Sequence, residues 1–135
     1  MANFLYDSGR NAFLTGGINW LGDTIKIAMV KNTYTASQST HTVTGDVGAN
    51  FTSYSTVTLA SKSASAGVAD AADVTFVAGS AGEVATGVVI WKDGGSPATS
   101  YLIAYIDTAT GFPLTTNGAN IDLIFDSGAN KIFKL

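Results

Sequence analysis

Two apolar runs near the middle of the chain constrain its fold more than any other feature. Residues 84–91 and 101–107 carry apolar side chains at most positions, so each predicted strand needs cover on both of its faces. Residues 93–97, which lie between them, read Asp-Gly-Gly-Ser-Pro and are typical of a tight turn. The pattern therefore predicts an antiparallel hairpin inside a sheet.

Further short strands are predicted on both sides of this hairpin. Residues 24–31 alternate, with Ile25, Ile27 and Met29 on one face. The other candidate strands, in chain order, are residues 54–60, 73–78, 121–125 and 131–135. About seven short strands joined by Gly-rich turns indicate an all-β chain that forms an antiparallel β-sandwich or barrel.

The start of the chain has a different pattern. Residues 4–14 contain no β-branched residue, Asn3 can serve as a helix cap, and Gly16-Gly17 can end the helix. Gly9 lowers helix stability by about 1 kcal/mol relative to alanine, but it lets another backbone approach closely. The sequence therefore predicts a short helix before the β strands.

Two units are expected on this basis: residues 1–20 as an N-terminal helix or arm, and residues 21–135 as the β domain. The arm either covers the open end of its own domain or docks on a neighbouring subunit, and the sequence leaves both alternatives open. Residues 32–50 are rich in Thr, Ser and Gly and are predicted to form a long loop with little buried anchor. Such loops are uncommon unless a partner orders them. Residues 61–72 are predicted to be flexible.

Charge and composition exclude several classes of function. Only 13% of residues are charged, against about 25% in a typical domain, so a partner could cover the surface without desolvating many charges. The net charge is -3 and the seven basic residues are scattered, so we expect no nucleic-acid partner. The absence of cysteine excludes a disulfide scaffold and a thiol nucleophile. Because neither a signal peptide nor a membrane span is recognisable, we expect synthesis in the cytoplasm and no membrane partner.

Candidate catalytic residues are few. His41 is the only histidine, and it lies in a polar loop without a recognisable nucleophile turn in the chain. Asp70 and Asp73 are close enough in sequence to hold a metal ion or act on a glycoside, but they fit equally well as caps of a turn before Val74. We therefore predict no enzyme, no cofactor and no metal site.

The aromatic residues allow a second interpretation. Trp20, Trp91 and five tyrosines could line a platform that binds sugars. Trp91, however, ends an apolar strand and is expected in the core or an interface. Trp20 follows the double glycine and is expected to pin the helix to the sheet.

Several segments of the chain are similar to a known family. They are residues 1–10, 18–21, 67–76, 102–111 and 128–135, which together leave out mainly residues 32–50. The chain resembles small structural proteins of tailed-phage virions. The resemblance implies a capsid decoration (cement) protein on the outer surface of the phage head. Such a protein clamps the major capsid protein, usually as a homotrimer.

Physical arguments agree with this placement. A negative net charge suits the outer shell better than the DNA-filled interior. Strands with two apolar faces offer more hydrophobic surface than a small sandwich needs, which favours oligomerisation. The alternative function is a tail or fibre component that binds a host surface glycan. The residues predicted to form an interface are Phe4, Leu5, Tyr6, Phe13, Trp20, Tyr34, His41 and Phe51.

Overall fold

The computed structural model describes residues 3–135, which form a mostly β, antiparallel, sandwich-like fold with one short α-helix. The helix is α1 (Asp7–Leu14). The strands are β1 (Phe4–Leu5), β2 (Ile25–Lys31), β3 (Val57–Thr58), β4 (Ser63–Ser65), β5 (Val68–Asp70), β6 (Val74–Phe76), β7 (Val84–Lys92), β8 (Leu102–Ile106), β9 (Leu114–Thr115), β10 (Ile121–Leu123) and β11 (Phe133–Lys134).

The main sheet has six strands, in the order β1-β8-β7-β2-β3, with β9 paired to one end of β7. The predicted hairpin is confirmed, because β7 and β8 pair antiparallel with Val88 opposite Ile106. The predicted strand that carries Ile25, Ile27 and Met29 is β2, and it lies on the other side of β7. Side chains on both faces of these strands are buried, as their composition requires.

Two small sheets form a second layer over one face of the main sheet. One contains β10 and β6, and the other contains β11, β5 and β4. Val74 and Phe76 point into the shared core as predicted. The prediction of a flexible segment over residues 61–72 is wrong, because β4 and β5 pair as a hairpin. Ala66 and Gly67 turn that hairpin with φ values of 51° and 78°, as a tight two-residue turn requires.

Residues 32–51 cover the opposite face of the main sheet. The segment contains two 3₁₀ turns (Thr44–Asp46 and Gly48–Asn50), and Tyr34 and Val47 are buried in a second hydrophobic cluster. The prediction of a long loop with little buried anchor is therefore wrong. The segment also covers the second apolar face that had favoured oligomerisation, so that argument no longer holds.

The N-terminal segment packs on the chain's own main sheet. Its helix begins at Asp7 instead of residue 4, because Phe4 and Leu5 pair with β8 as an edge strand. Asn3 does not cap the helix: its side-chain oxygen accepts the backbone N–H groups of residues 107 and 108. Gly9 does permit close approach, since a Cβ atom there would lie 2.5 Å from the backbone oxygen of Leu102.

The predicted strand over residues 54–60 is shorter than expected. Only Val57–Thr58 pairs as a strand, although the backbone N–H of Leu59 also donates to Ile25 and the Leu59 side chain is buried. Over residues 3–135, the helical segments fall short of the length and apolar character needed to cross a bilayer.

Candidate functional site

Most of the predicted interface residues lie inside the fold. Leu5, Tyr6, Trp20 and Tyr34 are buried in the two hydrophobic clusters of the chain. They therefore do not form a surface open to a neighbour, and their prediction as interface residues is corrected. The remaining four, which are partly exposed, are Phe4, Phe13, His41 and Phe51.

A chain of hydroxyl groups ties residues 32–51 to the sheet. The Tyr6 and Tyr34 hydroxyls lie 2.8 Å apart, and the Tyr34 hydroxyl lies 2.9 Å from His41 Nδ1. Burial, reinforced by the hydrogen bond with Tyr34, raises the pKa of Tyr6 far above its usual value. Burial also raises the pKa of Tyr34. Both phenols therefore stay neutral, and this series of hydrogen bonds anchors residues 32–51 to the sheet.

The His41 ring contacts residues of its own loop. Its ring stacks on Tyr34 with 5.5 Å between ring centroids, and the Ser37 backbone N–H also points at Nδ1. The neighbouring Asp46 carboxylate accepts the backbone N–H groups of Thr42 and Val43, which lower its pKa. These bonds hold the loop in shape.

Asp70 and Asp73 serve separate structural roles. Asp70 pairs with Lys131 at 3.1 Å, and Asp73 accepts the backbone N–H of Phe125 at 2.8 Å. Among the residues that the structure describes, no group of three or more histidines and carboxylates could hold a metal ion.

Both tryptophans are buried, so neither offers a face to a sugar. Trp20 donates its indole N–H to the backbone oxygens of Ser63 and Asp70 and meets Phe133 edge-on. It therefore pins the N-terminal segment to the β4–β5 hairpin, in the second layer. Trp91 packs against Phe51 on the opposite face.

The strongest candidate for a binding site is a groove of about 830 Å³ beside β10, here called the β10 groove. Val88 and Ile106 of the main sheet form its apolar base. Residues 122–127 line one side, and the rest is lined by Asn3, residues 108–110 and residues 130–132. The groove exists because the two small sheets of the second layer do not pair with each other.

One edge of β10 is open towards this groove. Within residues 3–135, β10 pairs only with β6. Asp122 lies opposite Thr75, and the residues on either side of Asp122 lie opposite the residues on either side of Thr75. The other edge of β6 is engaged, since Val77 exchanges hydrogen bonds with Ser55. An open edge presents backbone N–H and C=O groups that can pair with a further strand.

The side chains along this edge combine apolar and acidic character. Ile124 is 75% exposed, on the same outward side as Asp122. Asp122 accepts a hydrogen bond from Thr75, and Asp126 also lines the groove. In the described part of the chain, neither carboxylate forms an ion pair, whereas Lys131 is paired with Asp70.

Sequence reasoning missed this site. The alternation of residues 121–125 did contain a signal, because a strand with Ile121 and Leu123 inward must direct Ile124 outward. The gap between the two small sheets depends on tertiary packing and has no local signal.

Comparison with known proteins adds no family. The chain matches no family model and no curated protein.

Proposed function

We propose that this chain is a non-enzymatic structural protein of a tailed-phage particle. Specifically, it would be a capsid decoration (cement) protein that binds the outer surface of the head and stabilises the lattice of the major capsid protein. The observation that carries the proposal is the open edge of β10 beside a groove with an apolar base, with Ile124 exposed at its rim. An open edge beside an exposed apolar side chain is a surface that another chain can cover by adding a strand.

The use of the reactive side chains supports the same proposal. His41, Asp70 and Asp73 each bond to a different residue of the fold, namely Tyr34, Lys131 and Phe125. The low charge of the chain, 13% of residues, makes its surface inexpensive to desolvate on assembly. The sequence resembles small phage virion proteins, and for this reason we propose a phage particle as the assembly. We also propose that the protein forms a homotrimer on the outer shell of that particle.

The test is the copy number and location of the protein in purified particles. A cement protein is expected in hundreds of copies on the head, and heads that lack it should rupture at lower temperature or osmotic stress. Cryo-electron microscopy of the particle would show three copies meeting at a capsid symmetry axis. A few copies found only on the tail would contradict the proposal and favour a tail or fibre role.

A further inference from the structure

We propose that the β10 groove binds an extended segment of another protein as an added strand, paired with the open edge of β10. The segment would alternate apolar side chains, directed at Val88 and Ile106, with basic side chains that face Asp122 and Asp126. This inference rests on the proposed function only for the identity of the partner.

The first step of the argument is backbone pairing. In the described chain, β10 has one partner strand, and just after it the backbone N–H of Phe125 donates to the side-chain carboxylate of Asp73. An extended peptide can pair with the N–H and C=O groups that this three-residue strand and the residues after it direct away from β6, which is the basis of strand addition.

The second step is the shape of the second layer. The β6–β10 sheet and the β4–β5–β11 sheet lie over the same face but are separated, and the groove lies between β10 and the residues that lead into β11, with Ile132 on the far side. A single added strand would therefore extend the smaller sheet across part of the gap. Its inward side chains would pack against Ile106, which is partly exposed and lies beside the fully buried Val88.

The third step is charge, which selects the class of partner. Cross-strand neighbours of Asp122 lie close enough to interact, so a basic residue there is favoured and an acidic one is not. A second copy of this chain that paired through the same edge would bring the carboxylates of both copies together. Charge thus favours a basic, apolar segment of a different protein over self-association.

The experiment is an NMR titration of the full-length protein with an end-capped heptapeptide in which lysine and valine alternate. We expect saturable shifts in the amide signals of residues 106–110 and 122–127. A matched peptide with glutamate in place of lysine should bind about 2- to 30-fold more weakly, as expected for two cross-strand charge pairs. A third peptide, with every backbone amide N-methylated, should not bind because neither of its edges can donate hydrogen bonds to β10.

The protein side of the test uses a charge-neutral double variant, Asp122→Asn with Asp126→Asn. It should lose the preference for the lysine peptide while its stability to urea stays unchanged. The matched control is Val77→Asn, at the position that follows the partner strand β6 and is exposed but outside the groove. This control should bind the lysine peptide like the wild type.

Four results would overturn the inference: no amide shifts at millimolar lysine peptide, equal binding of the N-methylated peptide, shifts centred on β1 or β11, or a dimer whose contact is the β10 edge. None of these four results depends on whether the protein belongs to a phage head. A protein that binds the peptide but is missing from heads would refute only the capsid role, and a head protein that ignores the peptide would refute only the groove.

Discussion

The two faces of the main sheet are covered in contrasting ways. On one face, an irregular segment of residues 32–51 closes over the sheet with Tyr34 and Val47 buried beneath it. On the other face, regular strands form two small sheets that leave a groove of about 830 Å³ between them. An irregular segment can direct each side chain to where it fits. In a small sheet, in contrast, the outermost strand has one edge whose backbone groups have no partner strand.

The contrast has a functional consequence. The sealed face uses its aromatic and hydroxyl groups for internal contacts and offers little to a partner. The divided face exposes Ile124 and an unpaired edge. We therefore propose that a partner binds on the divided face and not on the sealed one.

The largest expected effect is on the sealed face. Tyr34→Ala removes a buried ring and leaves the Tyr6 hydroxyl without its partner, so we expect a loss of about 3–5 kcal/mol in the free energy of unfolding. Urea denaturation measures it. The control is Tyr101→Ala, whose ring is 45% exposed and which should cost far less. Equal losses for the two variants would mean that the segment is not anchored through Tyr34.

A pair of phenylalanine substitutions sharpens the comparison. Tyr6→Phe removes a fully buried hydroxyl from the chain to Tyr34 and should cost about 1–2 kcal/mol, because water cannot replace it. Tyr54→Phe removes a hydroxyl that bonds to the backbone of residues 118 and 119, on the divided side. Since that loop is largely exposed, water should compensate and the cost should stay below about 1 kcal/mol. The reverse order, measured by urea denaturation, would contradict the contrast.

The central hairpin and β2 could be predicted from the sequence because their burial produces long apolar runs or strict alternation. The cover of the sealed face could not. Its anchors, Tyr34, Thr44 and Val47, are single residues spread through a segment rich in Thr, Ser and Gly, so no periodicity marks them. Only contact with the finished sheet shows that they are buried.

The predictions for the N-terminal segment and for the β4–β5 hairpin were wrong for a different reason. Phe4 and Leu5 fit a helical pattern locally, but the free edge of β8 captures them as a strand. Residues 63–65 are Ser, Ala and Ser, which have little strand preference, and pairing with Val68–Asp70 holds them. The candidate site could be predicted only in part, because the exposure of Ile124 follows from alternation but the groove does not.

The acid dependence of stability tests the sealed face again, with a smaller effect. Hydrogen bonds from the backbone N–H groups of Thr42 and Val43 lower the pKa of Asp46, so its stabilisation is complete above the unfolded carboxyl value near 3.9. It is lost as the pH falls through the lower folded value. Asp46→Asn should cost less than about 1 kcal/mol at pH 7, and the gap to the wild type should narrow below about pH 4. A gap that widens in acid, measured by urea denaturation at each pH, would contradict this assignment.

The smallest expected effect on stability is on the divided face, and it is the one that separates folding from binding. Ile124→Ser replaces a side chain that is 75% exposed, so the free energy of unfolding should change by no more than about 0.5 kcal/mol. Val77→Ser, at a 56% exposed position just after β6, is the matched control and should change the free energy of unfolding equally little. Only Ile124→Ser should weaken binding of the lysine peptide, because only Ile124 lines the groove. A loss of stability at Ile124 would instead show that this edge is packed within its own chain, and the contrast between the two faces would then disappear.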